Sequence, residues 1–159
     1  MSKVDLSAKE IERLIDREVR PINFMKKGKK WFRTTPETIC RLTLTKDRWK
    51  PDQHYLDIDV SIISLNPHTS KEPVWHIIGS VFSPIVEEKV EWEKCLNVRY
   101  DEVSGKPRVV RLVEVLQQRI VPLLRSFETL EGIKKALFSN HLRGMGVRTE
   151  LQNLTGYRA

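Results

Sequence analysis

Two neighbouring stretches of the sequence alternate between apolar and polar residues, and no other feature constrains the fold as strongly. A period of two puts successive side chains on opposite faces of a β-strand. Residues 38–45 and 55–65 therefore predict two strands, each with one face on a core and one in water, as in antiparallel sheets. A third strand is predicted over residues 74–82, with three side chains on one face: Trp75, Ile77 and Val81.

Helical periodicity flanks the strand region on both sides. Residues 8–20 carry an apolar stripe after Ser7, which has the spacing of a capping box with Glu10. A longer stripe follows Pro107, and Pro122 inside it is expected to kink or divide that helix. A shorter helix is predicted over 128–138, whereas residues 86–94 fit either a turn of helix or an edge strand.

This order of elements predicts an α+β fold. We expect an antiparallel, curved sheet of about five strands, packed against the N-terminal helix and a long C-terminal helix. The length of 159 residues suits one domain, which we assign to residues 1–138. Residues 139–159 have weak periodicity and three arginines, and they predict a basic, partly ordered C-terminal tail.

The length of the apolar runs, the polar N-terminus and the cysteines indicate where in the cell the protein is located. No apolar run approaches the roughly 20 residues that cross a bilayer, and the polar N-terminus lacks the apolar core of a secretory signal. Cys40 and Cys95 match no metal or redox spacing and are interpreted as small buried side chains. We therefore expect a cytoplasmic protein that has no membrane contact.

The positive charge of the chain is concentrated in one region. The formal net charge is +7, yet residues 17–50 alone hold 11 Lys and Arg against 3 acids. The densest part is residues 23–33, where Gly28 between two lysine pairs predicts a hairpin with a basic tip. The candidate binding residues in and beside this hairpin are Lys26, Lys27, Lys29, Lys30, Trp31, Arg33 and Arg41.

The basic hairpin has three interpretations. Its cations and neighbouring aromatic rings are typical of nucleic-acid binding, through phosphate contacts and base stacking. Alternatively, the lysines form a solvated turn that protects a sheet edge, while the aromatic rings belong to the core. The third interpretation is an acidic protein partner.

A second cluster brings carboxylates and imidazoles together. His54, Asp57 and Asp59 lie on one predicted strand, with His76 on its predicted neighbour. Such a set is a candidate divalent-metal site that supports hydrolysis. The alternative is that the two aspartates pair with basic residues across the exposed sheet face. No catalytic residue is assigned, and no cofactor is predicted, since the sequence contains no P-loop, nucleophile motif or zinc spacing.

The order of these features resembles an uncharacterised family of bacterial domains, domain of unknown function 4304. Its opening helix is followed by a basic segment that is matched here by Asn23, Phe24, Lys26, Lys27, Gly28, Trp31 and Arg33. Residues 121–131 match a later helix with a proline break. The chain departs from the family in Asn23 where glycine is commoner, and in the lack of a glutamine after the hairpin. The resemblance implies a fold and brings no activity with it.

Taken together, the residues favour a non-enzymatic protein-interaction module that binds through the open sheet face and the basic hairpin. Nucleic-acid binding through residues 26–33 is the alternative, and a metal-dependent hydrolase at Asp57 and Asp59 comes third. The partner is accordingly an unidentified protein or a nucleic acid, and a homodimer is left open.

Overall fold

A six-stranded antiparallel sheet with helices on one face forms the body of the molecule. The computed structural model describes residues 3–68, 71–80 and 86–158 of the chain. The strands in chain order are β1 (Met25–Lys27), β2 (Lys30–Thr34), β3 (Thr38–Lys46), β4 (His54–Ile62), β5 (Ile77–Ser80), a separate hairpin of β6 (Glu102–Val103) and β7 (Lys106–Pro107), and β8 (Gly146–Val147). The sheet order is β1-β2-β3-β4-β5-β8, so the predicted α+β class is confirmed.

The helices include the predicted N-terminal element and the divided late helix. Their bounds are α1 (Lys3–Val19), α2 (Val86–Cys95), α3 (Arg108–Val115), α4 (Val121–Ser126), α5 (Leu130–Phe138) and α6 (Thr149–Thr155). Helix α1 begins at Lys3, so Ser7 lies in its second turn and the predicted capping box is wrong. The ambiguous residues 86–94 belong to α2.

The pairing of β3 with β4 is the longest in the sheet. It runs without interruption from Thr38 opposite Ile62 to Lys46 opposite His54. Alternate residues of both strands, such as Leu42 and Ile58, are fully buried with apolar side chains of α1, α3 and α4 in one core. The predicted alternation and the position of the two flanking helices are therefore confirmed.

Pro122 divides the late helix as predicted. Residues Leu116–Ile120 form a π-helical turn between α3 and α4, in which the Val121 N–H donates to the Leu116 carbonyl. Proline has no N–H to continue the ordinary pattern, and a π-helical turn is one of the usual ways to accommodate this loss.

Two expectations about the later strands need correction. Strand β5 covers only Ile77–Ser80, and Trp75 precedes it with its ring stacked on Arg41, away from the face of Ile77. Val81 and Phe82, which the predicted strand includes, lie outside the described residues. After residue 138, β8 pairs with β5, and Leu151 of α6 is buried.

The two cysteines occupy the positions that the sequence indicates. Both are buried and neither forms a disulfide. Burial raises the pKa of the Cys40 thiol to about 12 and that of Cys95 to about 11. Both thiols therefore stay protonated at neutral pH. Among the described residues, no helix has the length and apolar character needed to cross a membrane.

Gly132 offers a test of how closely α5 packs against the end of α4. A Cβ atom on this residue would meet the Ser126 carbonyl oxygen at 2.1 Å, far inside contact distance. Helix propensity alone favours alanine over glycine by about 1 kcal/mol. The clash forces a backbone shift that costs about 1–3 kcal/mol. We therefore expect Gly132→Ala to lower the free energy of unfolding, measured by urea denaturation.

The matched control is Lys134→Ala, an exposed change in the same helix. Its free energy of unfolding should stay within about 0.5 kcal/mol of the wild type. A Gly132→Ala protein more stable than the wild type would contradict the described packing of α5 on α4.

Candidate functional site: the basic end of the sheet

The antiparallel meander brings two basic turns to the same end of the sheet. The β1–β2 turn contains Gly28, whose φ of 63° is the left-handed conformation that glycine adopts without strain. In this turn the Lys29 carbonyl accepts a hydrogen bond from the Leu44 N–H at 3.0 Å. Strand β3 ends two residues later, and the β3–β4 turn follows at residues 47–53. Both turns therefore project from one end.

A third segment, the turn after α2, lies beside the β3–β4 turn. The His54 N–H donates to the Leu96 carbonyl at 3.0 Å, and the Val98 N–H donates to the Asp52 carbonyl at 2.9 Å. Gln53 and Asn97 form an isolated bridge between the two segments. Residues 94–99 are therefore fixed at the same end of the sheet.

These three segments carry a dense set of exposed cations, which we call the basic end. It consists of Lys27, Lys29, Lys30, Lys46, Arg48, Lys50, Lys94 and Arg99, all of them exposed. In the part of the chain that the structure describes, none of the eight forms an ion pair. The acids in the same segments are Asp47 and Asp52, and Glu93 directly precedes the third segment, so cations dominate the local field.

The positive field of these cations affects the pKa of His54. Its side chain is buried on the helix side of β4, and burial is the main reason that its pKa is lowered. The positive charges of Lys29 and Lys46 lower the pKa further. Lys29 belongs to the β1–β2 turn and Lys46 is the last residue of β3, so cations from two hairpins act on one imidazole.

Trp49 is the most exposed large apolar side chain at the basic end. The residue is 81% exposed at the tip of the β3–β4 turn. The guanidinium carbon of Arg48 lies over the ring, 5.1 Å from its centroid. Trp49 is not among the binding residues predicted from the sequence, although a tryptophan between Arg48 and Lys50 in a polar turn is a signal that could have identified it.

Asp47 holds the turn that presents Trp49. One carboxylate oxygen accepts hydrogen bonds from the N–H groups of Trp49 and Lys50, at 2.7 and 2.9 Å. The other oxygen accepts the Tyr55 hydroxyl hydrogen at 3.0 Å. The backbone N–H bonds, of Trp49 first, are the main cause of the lowered pKa of Asp47. The Asp47 carboxylate is therefore ionised when it accepts the hydrogen bonds that hold this turn.

The structure separates the predicted binding residues of the hairpin into two groups. Lys27, Lys29 and Lys30 are free at the basic end. Lys26 lies on the helix side, with its ammonium 2.6 Å from a Glu12 carboxylate oxygen. Trp31 is fully buried, and its indole N–H donates to Asp16 at 3.1 Å. Trp31 is therefore a core residue that joins β2 to α1, as the alternative interpretation of the aromatic rings predicts.

Arg33 is likewise a structural residue. Its buried guanidinium donates to the Leu124 carbonyl at 2.5 Å and to a Glu128 carboxylate oxygen at 3.3 Å. It also lies over the ring of Phe24, with 4.6 Å between the guanidinium carbon and the ring centroid. Burial lowers the pKa of Arg33. The side chain ties β2 to the end of α4 and is not available to a ligand.

Arg41 lies on the sheet face opposite the helices, which we call the open face. Its guanidinium donates twice to one Asp59 oxygen, at 3.0 and 2.8 Å, and lies 4.3 Å from the ring centroid of Trp75. The strand register extends this contact into a row across the open face: Met25, Phe32, Arg41, Asp59 and Ile78.

Three of the four candidate metal residues have other partners, namely Asp57, Asp59 and His76. His54 and Asp57 lie on opposite faces of β4, because they are three residues apart on one strand. Asp57 accepts the Ser80 hydroxyl hydrogen at 2.7 Å, and Asp59 pairs with Arg41. The His76 Nδ1 accepts the Ile62 N–H at 2.9 Å. Within the described residues, no three metal-binding side chains are grouped together.

Comparisons with known proteins do not add to this geometry. No protein-family model matches the chain, and neither a curated protein nor a solved structure matches it. The resemblance to domain of unknown function 4304 therefore stays a prediction, and function has to be argued from the basic end and the open face.

The two buried histidines predict a pH dependence of stability. Burial is the main cause of the lowered pKa of both His54 and His76. An unfolded histidine titrates near about pH 6.5, so below that pH the unfolded chain binds more protons than the folded one. Stability is therefore fully present above about pH 6.5 and is lost as the pH falls towards the folded-state pKa values. The urea midpoint should fall by a measurable amount from about pH 7 to pH 5.

Ring-proton chemical shifts of His54 and His76 provide the direct check on the cause. Both should titrate below about pH 6.5 in the folded protein. A urea midpoint that is flat or rises over the same range would contradict the neutral, buried state of the two imidazoles.

Proposed function

We propose that the protein is a non-enzymatic binding module whose ligand is a nucleic acid, held through its phosphates by the basic end. The observation that carries this proposal is the convergence on one end of the sheet of eight exposed cations from three separate segments, none of them in an ion pair among the described residues. Clustered lysine and arginine side chains that replace the counterions of a phosphate backbone supply most sequence-independent affinity for nucleic acids.

The spacing of the turns suits an extended polyanion. The two hairpins are two strand spacings apart, which amounts to about 10 Å. A stacked nucleic-acid strand carries one phosphate per about 3.4 Å, so about three nucleotides separate the phosphates that the two turns would meet. Lys27, Lys29 and Lys30 would then contact one part of the strand, and Lys46, Arg48 and Lys50 the next part.

The sequence favours a protein-interaction module over nucleic acid, and the open face still supports that second candidate. Met25 and Ile78 at the two ends of the open-face row are 73% and 46% exposed. Between them lie the half-buried ring of Phe32 and the paired Arg41 and Asp59. Methionine, aromatic and arginine side chains are enriched at protein interfaces, and the open-face row contains Met25, Phe32 and Arg41. A cytoplasmic location is proposed for either function.

Salt dependence and a charge-matched pair of variants test the proposal. We expect a labelled single-stranded oligonucleotide of about 12 nucleotides to bind with micromolar affinity at about 50 mM salt, and far more weakly at about 200 mM. The variant Lys27→Ser, Lys29→Ser, Lys30→Ser should reduce the slope of log affinity against log salt by about 2, since each lost phosphate contact removes about 0.7. Fluorescence anisotropy measures both quantities.

The control variant removes the same charge from the opposite end of the molecule, through Lys71→Ser, Lys134→Ser and Lys135→Ser. These three lysines are exposed. They belong to the segment after β4 and to α5, whose first residues contact the β2–β3 turn at Glu37. The control should keep the wild-type slope. Equal losses in the two variants, or no binding at about 50 mM salt, would contradict the proposed function.

A further inference from the structure

The geometry points to Trp49 as a base-stacking platform, and hence to single-stranded rather than duplex nucleic acid as the ligand. This inference rests on the proposed function and makes it specific. It starts from the state of the four tryptophans, all of which the structure describes. Trp31 and Trp92 are buried and Trp75 is half-buried on Arg41, while Trp49 alone exposes most of its ring.

An exposed tryptophan ring is unfavourable in water because its apolar surface has no partner. The same ring among lysines has a chemically suitable partner in a nucleobase, since every base has a π-face and stacks without regard to sequence. The cations around Trp49 hold the backbone of such a strand while the ring takes a base. Positive charge combined with an aromatic platform is the usual arrangement in single-strand binding.

The platform is held in place before any ligand arrives. Asp47 accepts hydrogen bonds from the Trp49 and Lys50 N–H groups and from the Tyr55 hydroxyl, so the backbone that carries the ring is fixed to β4. A preorganised group loses less conformational freedom on binding. The turn therefore presents the ring in a defined position rather than as part of a loose loop.

Arg48 completes the arrangement on one side of the ring. Its guanidinium lies over the Trp49 ring, 5.1 Å from the centroid, where cation and ring attract each other. Since the residue is 81% exposed, the other side of its ring is open to a base. The guanidinium charge then lies one ring away from the stacked base, close to where the phosphates of that nucleotide run.

A single strand fits this platform better than a duplex. In a duplex the faces of the bases are already stacked, and a protein ring gains access only after unpairing or unstacking them at an energetic cost. The bases of a single strand are free to turn towards the ring. The cations that contact the phosphates would by themselves bind both single strands and duplexes. The preference for the single strand therefore depends on Trp49.

The test compares three substitutions at position 49 on ligands with and without bases. Trp49→Ala removes the ring, Trp49→Phe keeps a smaller aromatic face, and Trp49→Leu keeps apolar bulk alone. The ligands are an oligothymidine of about 12 nucleotides, the corresponding duplex, heparin, poly-glutamate and phosphatidylserine–phosphatidylcholine vesicles. Because the ring lies outside the core, all variants should keep the wild-type melting temperature.

We expect Trp49→Ala and Trp49→Leu to weaken oligothymidine binding by at least about tenfold, and Trp49→Phe to recover most of the loss. Heparin and poly-glutamate, which have no bases, should bind all variants equally. The tryptophan fluorescence of the wild type should be quenched by oligothymidine, and this quenching should disappear in Trp49→Phe.

Three results would overturn the inference. One is that Trp49→Ala binds oligothymidine with wild-type affinity, while the triple variant Lys27→Ser, Lys29→Ser, Lys30→Ser loses this affinity. In that case the proposed function stands without the platform. Another is a loss of oligothymidine affinity in Trp49→Ala that Trp49→Leu recovers, or an equal loss of affinity for poly-glutamate or vesicles. Either result indicates a protein or membrane contact. The third is the absence of oligonucleotide binding in the wild type, which overturns the proposed function as well.

Discussion

The uninterrupted pairing of β3 with β4 is the contact on which the rest of the structure depends. Its register, from Thr38 opposite Ile62 to Lys46 opposite His54, sends alternate side chains to the core and the others to the open face. It also decides which turns share an end of the sheet. A slip of β4 by one residue would turn Ile58 and the rest of its apolar set towards water. Burial of this apolar set therefore maintains the register and, with it, the position of the basic end.

The contacts that join the sheet to the helices explain why only some of the conspicuous residues remain available to a ligand. The Trp31 indole binds Asp16 of α1, and the Arg33 guanidinium binds the Leu124 carbonyl at the end of α4. These side chains attach β2 to the helix layer, and each of these hydrogen bonds pairs a buried donor with an acceptor. The cations of the basic end lie on turns or at the ends of strands and of α2, where their side chains are exposed.

The sequence could predict the place of those elements whose residues follow a clear periodic pattern. The alternation in β3 and β4, the stripe of α1 and the break at Pro122 all follow from local spacing. The roles of Trp31 and Trp49 do not follow from local spacing, since each tryptophan follows a basic residue. Trp31 is buried and Trp49 is exposed because burial depends on which positions face the helices. Strand β8 has only two residues, Gly146 and Val147, too few to show a period, and it forms because the edge of β5 offers hydrogen-bonding partners. The convergence of the 94–99 turn with the β3–β4 turn depends on tertiary contacts alone.

The central claim is that three segments distant in sequence form one surface for a nucleic-acid strand. Titration of the ¹⁵N-labelled protein with oligothymidine, followed by amide chemical shifts, tests it most directly. The account predicts that the amides of residues 27–30, 46–50 and 94–99 shift together, with a single affinity, while those of residues 35–37 and 63–68 at the opposite end do not. Shifts confined to the open-face row or to the opposite end, with the basic end unchanged, would contradict it.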